Sequence, residues 1–151
     1  MLYQVRFNLD AELAIAVRGG VSLPELQILN DILEANGAEL VCQLDAFENY
    51  CKENSHLATK TRLDGDADTL MHSMLPLFLW TLAILKNPKK REKYSRNFTI
   101  YAGGEMLYTK AVADALFSSC ENLPFVQELR MYNDNPADNP PIPDEFFKIR
   151  G

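Results

Sequence analysis

Near the middle of the chain, Asp64-Gly65-Asp66-Ala67-Asp68 places carboxylates at alternate positions, and His72 follows four residues after Asp68. If a helix begins at Asp68, then Asp68 and His72 share one face. With Asp66 they form a candidate set for a divalent metal. The opening resembles an oxygen-ligand calcium loop, but the pattern breaks further on. The sixth position is Thr69, where glycine is needed, and the twelfth is Leu75, where a bidentate glutamate is needed. The stretch also differs by one residue of spacing from the DxDxT motif of haloacid-dehalogenase-type phosphatases. The preceding Thr59-Lys60-Thr61-Arg62-Leu63 is too polar for the buried strand that motif follows. The ordinary alternative is that these acids cap a helix N-terminus and complement its dipole.

Two glycine pairs form a second candidate. Gly19-Gly20 and Gly103-Gly104 each stand ahead of a segment with helical periodicity. Backbone amides at such a turn can approach an anion. Neither pair belongs to a GxGxxG or GxxxxGK[ST] pattern. Glu105 directly after the second pair would repel a phosphate, whereas Arg18 precedes the first. Arg18, Gly19 and Gly20 are therefore the better anion-binding candidate, set against a plain strand-to-helix turn that needs glycine.

The third candidate is basic. Lys86, Lys89, Lys90, Arg91, Lys93 and Arg96 are six of the chain's 15 basic residues, in a protein of net charge −6. They are candidates for contact with a macromolecule or an anionic surface. The alternative is a solvated segment that complements the C-terminal end of a preceding helix. Nucleophilic chemistry has little to draw on. The only histidines are His56 and His72, and Cys51 lies near His56 with no orienting third group. No complete catalytic set emerges, so whether the chain is an enzyme stays open, and no motif implies a cofactor.

These residues must be held by a chain of 151 residues, long enough to bury a sizeable core without disulfide or metal staples. Three cysteines, an odd number without a CxxC pair, fit reduced thiols in a cytoplasmic protein. The N-terminus lacks the pattern of a signal peptide. Acidic overall charge argues against a surface that is basic throughout.

The most apolar run is Leu70–Leu85, too short at 16 residues for a bilayer span of about 20. It is expected to be a buried central helix, starting near Thr69, with Pro76 inside it and Asn87-Pro88 ending it. Residues 2–9 alternate as a half-buried strand. Leu13, Ile15 and Val17 suggest a second strand. Ser22 and Glu25 have the spacing of a capping box, opening a helix that runs to Asn36-Gly37. A strand at 39–44 precedes a short helix over 46–53 capped by Asp45, and a polar loop covers 54–68. A strand over Phe98–Ala102, a helix over 105–119 and a strand over Phe125–Tyr132 follow.

The two glycine pairs align, and the residues around them read alike: strand, Gly-Gly, helix, strand. This predicts an α/β or α+β fold in which two βαβ-like units share a mixed or mostly parallel sheet of about five strands. Helices, including the buried central one, would pack on that sheet. Residues 1–132 would form a single domain, with 133–151 a proline-rich extended tail. The functional expectation is a protein that binds a macromolecular partner, with another protein or self-association favoured over nucleic acid. The alternative is an enzyme or binding protein for a phosphorylated small molecule or nucleotide, with or without a metal.

Overall fold

The computed structural model describes residues 1–59 and 69–147. Four strands and six α-helices follow one another among those residues. They are β1 (Tyr3–Asn8), α1 (Ala11–Arg18), α2 (Gln27–Ala35), β2 (Ala38–Cys42), α3 (Gln43–Glu53), α4 (Thr69–Leu85), α5 (Pro88–Ser95), β3 (Asn97–Ala102), α6 (Lys110–Cys120) and β4 (Gln127–Asn133). Single turns of 3-10 helix add Pro24–Leu26, Ser55–Thr59, Pro136–Asp138 and Asp144–Phe147.

The sheet has the order β2-β3-β1-β4, and every neighbouring pair is antiparallel. This corrects the expected mixed or mostly parallel sheet of about five strands. The first expected unit is absent, because its opening strand at 13–17 is a helix; the βαβ halves that form instead run from β1 to β2 and from β3 to β4, and they interleave. Strands β1 and β2 run in the same direction with β3 between them, and β3 and β4 do so with β1 between them. This is the strand order of the split β-α-β, or ferredoxin-like, topology. Strand order alone says nothing about function. Each half supplies the antiparallel neighbour of the other, so no two parallel strands touch.

Alternation along β1 sends Val5 and Phe7 into the core, opposite Ile100 and Phe98 of β3. Leu13, Ala14 and Ala16 of α1, Leu29 and Leu33 of α2, and Ala113, Leu116 and Cys120 of α6 close over that face. Each fully buried aliphatic side chain contributes about 1.5–3 kcal/mol. The other face carries Gln4, Arg6, Thr99 and Arg130. Arg6 donates to Gln4 and stacks over the Tyr132 ring, 4.8 Å from its centroid.

The segment 11–18 is a helix rather than the expected strand. Asp10 caps it, its carboxylate accepting from the Leu13 N–H at 2.9 Å. Three alanines favour the helix. Leu13, Ala14 and Ala16 then turn inward and leave Ile15 outside. The Ser22–Glu25 capping box does not form: Leu23 precedes the 3-10 turn, and no side chain caps it. Helix α3 starts at Gln43, which places Asp45 within the first turn instead of ahead of it.

The central helix departs furthest from expectation. It does not lie on the sheet. Leu75 and Phe78 pack with Cys51 and Leu57 into a separate cluster against α3, flanked by Tyr50, Leu79 and Leu82. Helices α3, α4 and α5 occupy the connection from β2 to β3, and α4 is buried as expected through Leu75, Pro76, Phe78, Thr81 and Ile84. Leu77 is 38% exposed. After β4 the chain returns to this lobe, where Phe146 lies beside Leu79, Leu82 and Ala83.

One seam in the sheet is bridged by a side chain. Tyr108 pairs its backbone with Tyr3 in both directions, at 2.7 and 2.9 Å. Its hydroxyl accepts from the Val5 N–H at 3.0 Å and donates to the Ile100 carbonyl at 2.8 Å. The hydroxyl thus replaces a direct bond between β1 and β3, and its burial pushes the Tyr108 pKa up.

Candidate binding groove beside an unpaired strand edge

Among the described residues, strand β2 has a neighbour on one side only. The Gly103 N–H donates to the Gly37 carbonyl at 2.9 Å, which sets the alternation of the β2–β3 ladder. Glu39 and Val41 therefore turn their backbone groups toward β3, and Ala38 and Leu40 turn theirs outward. Among the described residues nothing bonds to those outward N–H and C=O groups.

A groove of about 520 Å³ runs along this edge. The turn after α1 forms one wall, α2 the second, and β2 the floor. Gly20 takes φ +68 in that turn, a conformation that suits glycine, and the chain doubles back to bring Val21 to the rim, 56% exposed. Val17, Leu26, Leu33 and Leu40 supply apolar lining, and Glu34 and Glu39 are its charged residues. The sequence reading missed this site. A faint signal was present: Ala38–Cys42 has one charge, no proline and no lysine, yet nothing local says that it ends the sheet.

The candidate residues read from the sequence fall elsewhere. Arg18 closes α1 and binds Asp45, with Nη2 to Oδ1 at 2.7 Å and Nε to Oδ2 at 3.3 Å. That bond raises the Arg18 pKa. Gly19 and Gly20 follow the C-terminal end of α1, where the helix dipole is negative. Their amides donate to the carbonyls of Ile15 and Val17. Gly19 and Gly20 thus present bonded amides, and Arg18 already holds a carboxylate. Gly103 and Gly104 reverse the chain toward Glu105, whose backbone pairs with Ala102, and α6 opens only at Lys110.

Asp64, Asp66 and Asp68 lie outside the described residues. His72 belongs to α4, and its side chain lies outside them too. Among the described residues no group of three or more His, Cys, Asp or Glu side chains is placed to hold a metal.

Lys89, Lys90, Arg91 and Lys93 of the basic run lie on α5, capped by Asn87, which accepts from the N–H groups of Lys89 and Lys90; Lys86 precedes the cap and Arg96 follows the helix. The run divides by role. Arg91 pairs with Glu48 at 2.7 Å and donates to the Leu85 carbonyl at the end of α4. Arg96 donates to the Leu9 carbonyl at 3.0 Å. Lys93 sits over the Tyr94 ring, 5.3 Å from its centroid. Lys86, Lys89 and Lys90 are exposed.

All three cysteines are buried and free. Burial pushes each thiol up, Cys120 to about 11. Raised thiols are poor nucleophiles.

No family model, no curated protein and no solved structure matches the chain. No helix among the described residues is long and apolar enough to cross a membrane.

Proposed function

We propose that this chain acts by binding another protein, with the β2 edge and its groove as the contact. One observation carries the reading: the outward backbone groups of Ala38 and Leu40, unbonded among the described residues, beside an apolar groove. An extended segment adding to a sheet edge gains main-chain bonds from the strand and selectivity from side-chain pockets. Free thiols fit a reducing, cytoplasmic setting.

The test is a selection of peptides from a displayed random library on the folded chain, run beside a thermal-shift panel of nucleotides, inorganic phosphate and divalent ions. The expected result is a set of selected peptides that shift the backbone resonances of residues 38–41. Stabilisation by a nucleotide or metal, with no peptide recovered, would replace this reading with the small-molecule enzyme.

A further inference from the structure

We infer that the occupant of the β2 groove is an extended strand of a different protein in which apolar and basic side chains alternate. This rests on the protein-binding reading and specifies its partner. The backbone sets the conformation. Ala38 and Leu40 offer N–H and C=O groups with the two-residue spacing of a ladder, which only another extended segment matches along its length.

The side chains set the composition. On a strand laid against β2, alternate residues point to opposite faces of the sheet. Those on the helix-covered face enter the groove between α2 and the turn after α1, where Val17, Val21 and Leu40 present apolar surface. Those on the other face come beside Glu39, which projects opposite to Leu40. Glu34 stands on the α2 wall. The charged lining is thus wholly acidic, in a chain that already carries net charge −6. A second copy of this chain would bring its own Glu34 and Glu39 to the same place, and like charges facing each other across a strand pair are destabilising. Lysine or arginine on the face of the partner strand that looks toward Glu39 meets that carboxylate instead.

The experiment uses the full chain and short acetylated, amidated peptides alternating valine with lysine or valine with glutamate. Amide hydrogen exchange at Ala38 and Leu40 reports whether the edge is occupied, and fluorescence polarisation reports affinity. The lysine peptide is expected to protect both amides. Its affinity should fall about threefold in the variant Glu39→Lys at low salt, the size expected for one exposed charge contact reversed. High salt should shrink that difference. N-methylation of the peptide backbone on the bonding side should abolish protection at the same composition.

Equal protection by the glutamate peptide would overturn the basic partner while leaving strand addition at this edge intact. Binding without protection at Ala38 and Leu40 would overturn the groove as the site and leave the wider protein-binding reading standing. Protection that rises with protein concentration in the absence of peptide would identify the occupant as a second copy and overturn the inference.

Discussion

The sheet has two outer strands, and they are built differently. Along β4 the pairing with β1 shifts register between Arg6 and Asn8. Glu128 takes φ 48 there, and its carboxylate accepts from Asn8 at 2.8 Å. Arg130 adds a charge, and the end of the strand is tied by Asn133, whose side chain donates to Asp138 and accepts from the Asn135 N–H. The Asp134 carboxylate also accepts from the Leu2 N–H at 3.1 Å. Bulges, charges and covering turns are how proteins keep a sheet edge from recruiting strangers. Strand β2 has no bulge and no turn bonded to its outer side: five residues pair with β3 in unbroken register, and Glu39 is their one charge. A chain that blunts one edge and leaves the other regular has left a place where a strand can add.

The largest expected effect tests the β2 side of this contrast. In Val41→Pro an N–H aimed at β3 is lost and a β3 carbonyl loses its partner, and about 2–4 kcal/mol of stability should go with them, read by urea denaturation. If the loss is below about 1 kcal/mol, the alternation assigned to β2 is wrong and its outward groups are not Ala38 and Leu40.

Two tests address the layer between the edges. Burial pushes Cys120 from 9.0 to about 11, so the folded thiol keeps its proton where the unfolded one has lost it. That contribution is complete below pH 9 and declines as pH rises toward 11. The decline is about 2–3 kcal/mol at about 1.4 kcal/mol per unit. Unfolding at pH 8 and pH 11 should show a weaker pH dependence for Cys120→Ala than for the parent. In Tyr108→Phe the Val5 N–H and Ile100 carbonyl lose their shared partner, at a cost of about 1–3 kcal/mol. Exchange should quicken at Val5 more than at Leu40 if this seam, rather than either edge, is what the tyrosine holds.

The smallest effect belongs to β4. Replacing Glu128 with glycine relieves a left-handed backbone and gives up one exposed hydrogen bond. A net gain of about 0.5 kcal/mol is expected. A clear loss in thermal unfolding would show that the carboxylate, not the bulge, secures this edge.

Part of the fold could be read residue by residue. The two-residue alternation of 2–9 gave β1, and Asn36-Gly37 marked the end of α2, with Gly37 at φ 58. Asn87-Pro88 ended α4, although the same pair also starts α5, because proline suits a first helical turn and Asn87 supplies the cap. The segment 11–18 misled because Leu13, Ile15 and Val17 alternate as a strand would, while the Asp10 cap and the alanines act on the helix. Arg18 looked available because its carboxylate partner, Asp45, lies 27 residues away. The groove left almost no local trace, since it needs three separate segments to meet.

The amino-acid order by itself determined where side chains alternate, where helices start and stop, and how much of the chain is greasy or charged. Those are preferences of neighbouring residues for one another and for water. Only the folded molecule decided that the halves interleave, that α4 packs beside the sheet and not on it, and that β2 ends the sheet. Strand partners are chosen through backbone N–H and C=O groups that are nearly the same at every residue. Their pairing is settled by what the whole chain can bury at once, not by the residues that carry them.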